Sequence, residues 1–374
     1  MISLIQLTPL GPFFFGGERT FHYPGVNETG NSYFVRSLDR PAQTALLGAL
    51  RYLGNRNKGQ AGAGYARDDE AIGPESFALG KPGQQFGWIK AISPLHLRGS
   101  GGEVLVPVPL DHQAGQDQYS PLSWDPDPVE VADGCAVRPR ILPAGFSGKM
   151  GLAEGWLNLA SGRVEGDQPG PNSAPRPVDR PVMRLELSLD APAPAPADGS
   201  SEATKLFRKR ESRLLRHDLS FAFFADLDDQ FAPAPDFVWM GQGGRPFKVA
   251  ITRHAARQKA QLHDAVQRVI TAPPRHLPPG LGFGYALSDV YADPARVAGA
   301  CDFVIGAAAK LRPLATRYGQ TDQPGRFRRG RHLLRLLKAG SVFLIRHPQG
   351  FQDAISDPSA QVAGFNQVVI KEGL

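Results

Sequence analysis

The hydrophobic positions of the chain fall mostly into short runs separated by glycine, proline and polar residues. Residues 1–8, Met1-Ile2-Ser3-Leu4-Ile5-Gln6-Leu7-Thr8, predict an opening strand. Gly11-Pro12-Phe13-Phe14-Phe15-Gly16-Gly17-Glu18-Arg19 then breaks it. Three aromatics between glycine and proline punctuators predict a loop pinned by a buried hydrophobic anchor. The clearest helical pattern covers residues 41–53. Ala42, Ala45, Leu46, Ala49, Leu50 and Leu53 recur at spacings of three and four, which makes one apolar face. Asp39 and Pro41 suit its start, and Gly54 suits its stop. Gly48 costs up to about 1 kcal/mol against alanine inside a helix, so close packing against a sheet is the expected reason for it.

Beyond this helix, residues 55–75, 111–134 and 161–182 read as polar, glycine- or proline-rich loops. Gly87-Trp88-Ile89 and the segment 103–110 read as strands. The alternating Pro107 and Pro109 demand an extended backbone and argue against a central strand. Arg184–Asp190 alternates strictly, as a half-exposed strand does. Ala191–Ser201 (APAPAPADGSS) is of low complexity and predicts a mobile loop near 191–203. Leu219–Phe224, Ser341–Ile345 and Gln367–Ile370 predict further strands, and residues 252–270 a second helix. Strand, helix, strands, helix, strands is the order of an α+β fold rather than of a doubly wound parallel sheet.

Composition sharpens this picture. At about 150 residues per domain, 374 residues imply roughly two domains. Glycine (42) and proline (34) make up about 20% of the chain, below the load of a disordered protein. Cys135 and Cys301 lie far apart, which argues against a disulfide framework and a cysteine-based zinc site. The opening residues have no basic leader, and no apolar run approaches the roughly 18 residues of a membrane span. The expectation is a soluble, cytoplasmic protein without a membrane partner.

The formal charge of +6 is modest, but it is unevenly placed. From Lys310 to Lys338 there are nine Lys/Arg against one acid, Asp322. Within this stretch Gly325-Arg326-Phe327-Arg328-Arg329-Gly330-Arg331-His332 interleaves glycine, arginine and an aromatic. Closely spaced guanidinium forks suit phosphates and an aromatic suits a base, against the alternative of a solvated basic loop. A second cluster is Lys205, Arg208, Lys209, Arg210, Arg213 and Arg216, with Glu211 its only acid. It reads equally as a solvated face or a binding arm. Gly241-Gln242-Gly243-Gly244-Arg245 is a glycine loop of the kind whose backbone N–H groups approach phosphates. It lacks the Gly-Lys-Ser/Thr of a P-loop, and by itself a plain turn is its default reading. None of the nine histidines forms a metal-ligand pair. His22, near Glu18, Arg19 and Tyr23, is the one candidate base for RNA cleavage, and no GxSxG is present.

Several segments, in order, resemble the RAMP superfamily of type III CRISPR effector complexes. They are Gly16–Phe21; Arg36-Ser37-Leu38-Asp39-Arg40-Pro41-Ala42-Gln43-Thr44 leading into Leu47-Gly48-Ala49-Leu50-Arg51; Pro107–Asp111; Gly155-Trp156-Leu157; Met240–Arg245; and Ala339–Phe343. The resemblance is to the Cmr subunit three family of type III-B complexes, with Csm subunit four of type III-A a near relative. The family's late Gly-x-Gly turn is Gly364-Phe365-Asn366 here, and asparagine tolerates the left-handed conformation.

The resemblance implies two ferredoxin-like, RRM-related halves with long inserted loops, placed at 1–182 and 183–374. It implies a non-catalytic subunit for antiviral defence, with no cofactor and no metal, that grips the 5′ repeat-derived handle of the crRNA. Implied partners are the large polymerase-like subunit, the adjoining backbone RAMP subunit and, indirectly, target RNA. By position, Arg19 and Thr20 become crRNA contacts, Arg36 and Arg51 backbone-binding candidates, and Gly243, Gly244 and Arg245 a handle-contacting loop. Arg326, Arg328, Arg329 and Arg331 are candidates from charge alone, toward RNA or a neighbouring subunit. The alternatives are a metal-independent crRNA-processing endoribonuclease built on His22, and a protein-only interaction subunit. No RNP1 aromatic motif is visible, so recognition through loops and phosphates is expected rather than base stacking on a sheet.

Overall fold

The computed structural model describes residues 1–21, 33–56, 69–73, 77–81, 83–114, 119–125, 127–133, 136–144, 154–168, 181–189, 208–232, 237–241, 243–271, 277, 280–311, 314–315, 328–329 and 334–371. β1 (Ile2–Pro9), β2 (Phe15–Phe21) and β3 (Tyr33–Leu38) are followed by α1 (Gln43–Arg56) and the single-turn α2 (Asp69–Ile72). Leu46, Leu47, Leu50 and Leu53 of α1 are buried in the same core as Ile5 and Leu7 of β1, as their spacing predicts. The helix runs past Gly54, which is not its stop. A Cβ on Gly54 would lie 3.2 Å from the Phe231 ring, so close packing is its role. Gly48 differs from expectation. It is exposed, and a Cβ there would meet nothing within 4 Å.

β4 (Ile89–Ile92), β5 (His96–Gly99) and β6 (Val104–Pro107) come next. Two hairpins occupy the stretch read as loop: β7 (His112–Ala114) with β8 (Tyr119–Pro121), and β9 (Val129–Asp133) with β10 (Ala136–Arg140). β11 (Trp156–Asn158), β12 (Val164–Gln168), β13 (Pro181–Leu189), β14 (Arg208–Leu214), β15 (Leu219–Leu227), β16 (Phe237–Met240) and β17 (Arg245–Thr252) follow. They form one 13-stranded sheet in the order β16-β17-β1-β15-β5-β6-β11-β12-β13-β14-β3-β2, with β4 also on β15. Pairing is antiparallel except at β12–β13 and β14–β3. Strands on both sides of residue 182 share this sheet, and β13 spans that position. β6 is not an edge strand, because β5 and β11 flank it. Pro107 is tolerated because it is the last residue, where only β11 pairs with it.

The sheet curls back on itself. Phe13 exchanges two backbone hydrogen bonds with Ser212 of β14, at 2.8 and 2.9 Å. The rings of Phe13, Phe15, Phe221 and Phe247 fill the space enclosed, with centroids 5.3 to 6.4 Å apart. The expected hydrophobic anchor is therefore real, but its last residue already begins β2 rather than a loop.

α3 (Ala256–Thr271) leads to β18 (Gly282–Ala286), α4 (Pro294–Ala300) and β19 (Cys301–Ile305). The short strands β20 (Ala308–Leu311), β21 (Leu314–Ala315), β22 (Arg328–Arg329) and β23 (Leu334–Leu337) precede β24 (Val342–Ile345). α5 (Pro348–Ile355), α6 (Pro358–Val362) and β25 (Val368–Lys371) complete the described chain. β19-β24-β18-β25 form an all-antiparallel sheet built from a strand-helix-strand-strand-helix-strand run. The first sheet holds β4-β15-β1-β17 in the same relative order, with α1 between its first two strands. The whole is a mixed, largely antiparallel α+β structure. Asn366 sits at φ 56° two residues after Gly364 at φ 81°, so asparagine does take the left-handed position. Its side chain accepts from Tyr291 N (2.6 Å) and donates to Tyr291 O and Ile355 O.

His96 on β5 is buried and stacked on Phe224 at 5.7 Å. Burial, aided by nearby Arg98, pushes its pKa down to about 3 from 6.5. Between those values the unfolded chain binds one more proton than the folded chain, so stability rises with pH. The contribution is complete above pH 6.5 and is lost as pH falls, by about 1.4 kcal/mol per unit. Urea unfolding at pH 7 and pH 5.5 is expected to show this loss in the wild type. A His96→Leu variant should lack that component.

Candidate nucleic-acid interface

Three signals that are far apart in sequence meet on the curled end of the sheet. β3 lies between β2 and β14. Arg19 and Thr20 of β2 are register partners of Val35 and Phe34. Arg36 of β3 is the partner of Arg210, with Arg208 and Lys209 opposite Phe34 and Val35. The ribbon β14-β3-β2 therefore gathers Arg19, Arg36, Arg208, Lys209, Arg210 and Arg213 on three adjacent strands. By register, Arg36, Arg208 and Arg210 share one face with Thr20, while Arg19, Lys209 and Arg213 take the other. A basic row of this kind suits a phosphate backbone, because each neutralised phosphate releases counterions. Arg216, the last member of the second cluster, is committed elsewhere. It binds Glu103, Glu165 (3.2 Å) and Asp218 (2.8 Å), which tie the end of β14 to β6 and β12. These carboxylates hold its guanidinium above its usual pKa.

The glycine loop closes against this ribbon. Gly241, Gly243 and Gly244 have φ of 74°, 84° and 57°, and Gly244 N donates to Gly241 O at 3.3 Å. A Cβ on Gly241 would sit 2.3 Å from Phe14 O, so only glycine lets the turn lie against the Phe13–Phe15 segment. Gly243 and Gly244 are exposed. Arg245 reaches from β17 to the buried carboxylate of Glu211 on β14. It fastens the loop to the basic ribbon, a role its place beside the glycines did not reveal.

The other described candidates belong to other elements. Arg51 donates to Gly73 O at 3.1 Å and lies over the Phe86 ring at 5.9 Å, so it braces α1 against the segment after α2. Arg328 and Arg329 form β22 opposite Leu314 and Ala315, whereas Arg326, Arg331 and His22 lie outside the described residues. Among the described residues no cluster of three or more His, Cys, Asp or Glu is placed to hold a metal ion. No described helix is long and apolar enough to cross a membrane. Cys301 is buried, and its thiol is pushed up to about 12 by burial and by Asp302.

The remaining resemblance segments meet at a seam between the two sheets. Pro107 pairs with Trp156, Val108 N donates to Gly155 O, and Leu110 N donates to Gly340 O at 2.8 Å. Tyr285 donates its hydroxyl to Pro107 O. Arg40 lies over the Trp156 ring at 4.3 Å and holds Asp39 through Nη2 at 2.6 Å. These residues hold the two sheets together. Sequence reasoning also missed the exposed Phe237 and Trp239 of β16, whose alternation with buried Val238 and Met240 was the available signal.

The family model described as "CRISPR-associated protein (Cas_Cmr3)" matches residues 5–272, and the chain belongs to that family. No curated protein sequence matches it. Among solved structures it is similar to a chain of "Cryo-EM structure of the Type III-B Cmr-beta bound to cognate target RNA". Identity is 11% and the TM-score 0.47, covering 100% of this chain and 99% of that one. A second is "Cryo-EM structure of the Type III-B Cmr-beta bound to cognate target RNA and AMPPnP, state 1", at 11% identity and TM-score 0.45. It covers 99% of this chain and 96% of that chain.

Proposed function

We propose that the chain is a non-catalytic, RNA-binding subunit of a type III-B CRISPR effector, gripping the 5′ repeat-derived handle of crRNA. The carrying observation is the convergence of β2, β3, β14 and the glycine turn, which brings Arg19, Thr20, Arg36, Gly243 and Gly244 into one neighbourhood. Family membership supports assembly with the large polymerase-like subunit, a backbone RAMP subunit and, through them, target RNA. The shared strand order of the two sheets supports reading them as two related ferredoxin-like halves. The first then extends to β17 rather than ending at residue 182.

Handle RNA should bind in preference to a scrambled oligonucleotide, with log K falling by about 0.7 per phosphate contact for each unit of log salt. Arg36→Glu combined with Arg210→Glu is expected to lower handle affinity at least about tenfold and to flatten that slope. A preference for the handle would remove the protein-only reading, and binding to neither RNA would favour it. Repeat RNA incubated with the protein in EDTA should stay intact, and its cleavage would establish the endoribonuclease instead.

A further inference from the structure

The outer face of the first sheet is covered over β6, β11 and β12, where Val106, Leu157 and Val164 share a core with Val266 and Phe283, and again over β1 and β15. Ala255 and Leu262, at the start of α3, pack over Leu4, Ala222 and Phe224. Toward the β16–β17 edge nothing in the described chain covers it. There Phe237 is 38% and Trp239 54% exposed, on alternate positions of the edge strand. Phe237 is the register partner of exposed Lys248, and Trp239 that of exposed Pro246. Tyr52 of α1 meets the Trp239 ring edge-on at 6.4 Å, which props the indole from the side. The charged neighbour the register places beside the aromatic pair is basic, Lys248 opposite Phe237, although Asp236 precedes that strand. Residues 237–263 contain no Asp or Glu, while Lys248, Arg253, Arg257 and Lys259 are exposed.

We infer that this face is a stacking platform for single-stranded RNA, with Phe237 and Trp239 under unpaired bases and Lys248 on the phosphate between them. Two aromatics two residues apart on one strand lie about 6.8 Å apart. That is the reach of adjacent splayed nucleotides, and stacking tolerates any base because each has a π-face. Lys248 beside two exposed aromatics favours an occupant that brings both a flat ring and an anion, which a nucleotide does and an apolar protein surface does not. The choice of RNA over DNA rests on the proposed function. The platform itself is a separate surface from the β14-β3-β2 ribbon.

The test uses the full chain and the oligonucleotide U10. Trp88, Trp124 and Trp156 are buried, so quenching of the exposed indole reports Trp239. U10 is expected to quench tryptophan emission. Phe237→Ala and Trp239→Ala should each weaken U10 binding roughly ten- to hundredfold, followed by anisotropy of labelled U10, while Trp239→Phe retains it. Lys248→Glu, at a surface position with no packing role, should weaken binding and lower the salt slope. Thermal melts check that each variant folds. U10 affinity within twofold of wild type in both aromatic variants overturns the platform. So does a Trp239→Ala protein that binds U10 normally but no longer associates with co-expressed effector subunits. Arg36→Glu/Arg210→Glu, by contrast, should impair the handle and spare U10. The two readings can therefore fail separately.

Discussion

Arg40→Ala is expected to lower the unfolding free energy by about 2–4 kcal/mol at neutral pH, measured by urea or thermal denaturation. Arg40 and Asp39 retain only 15% and 21% side-chain exposure, and the pair is bidentate, with Nε at 3.1 Å and Nη2 at 2.6 Å from the two carboxylate oxygens. Removing the guanidinium leaves a largely buried carboxylate without its closest ion-pair partner, with only Lys338 and a backbone hydrogen bond still favouring its charge. It also strips the cation from the Trp156 face and takes away a positive charge that stabilises Asp289, whose own pKa burial already raises. Asp289 accepts from Ala339 N at 2.9 Å, next to Gly340. The loss should therefore spread to the seam, as faster hydrogen exchange in residues 286–291 and 337–341.

The same variant has a pH signature. Burial opposes the charge on Asp39, but Arg40 and Lys338 outweigh it and hold its pKa well below 3.8. A depressed carboxylate contributes stability above its unfolded pKa, and that contribution is lost as pH falls through the folded value. Wild type should lose it below about pH 4. In Arg40→Ala the contribution is already gone at pH 7, so its acid limb should be shallower. A double variant, Asp39→Leu with Arg40→Met, should recover much of the stability, because a well-packed apolar pair can replace a buried ion pair. If it does not, the cation over Trp156 matters more than the pairing.

Local periodicity made α1, β1, β13, β15 and α3 legible, because each has an apolar face whose spacing depends on its own residues. Longer-range facts were not legible. Pro107 looked like an edge residue because proline lacks a donor. Whether that matters depends on how far β5 extends beside it, which the local sequence does not encode. Gly48 and Gly54 sit six residues apart in one helix. Only the path of Phe231, far along the chain, decides which of them needs its missing side chain. The site shows the same division. Charge clustering located the basic cluster of β14, and the resemblance located Arg19, Thr20 and Arg36. Parallel pairing of β3 with β14 is what puts them side by side. Arg245 is a handle contact by resemblance, and Arg216 belongs to a cluster that reads equally as a solvated face or a binding arm. Glu211 and Glu103, distant in sequence, convert them into fasteners.

Gly241→Ala should expose how much the interface depends on such fastening. At φ 74° an L side chain costs about 1–2 kcal/mol. The added Cβ would also lie 2.3 Å from Phe14 O and 3.1 Å from Phe14 C, both backbone atoms that cannot rotate away. Either the turn lifts or the Phe13–Phe15 segment moves, and the latter carries two rings of the aromatic cluster and the Ser212 hydrogen bonds. A total loss of about 2–4 kcal/mol is expected by denaturation. Gly243→Ala, also at positive φ but with nothing within 4 Å, should cost only the conformational part, about 1–2 kcal/mol. Handle binding should separate them further. Gly241→Ala displaces the turn from the β14-β3-β2 ribbon and should weaken handle RNA binding severalfold even at temperatures where the variant is folded. If the two variants are equally stable, close approach to Phe14 is not what Gly241 provides. If Gly241→Ala binds the handle like wild type, the turn and the ribbon act on RNA independently.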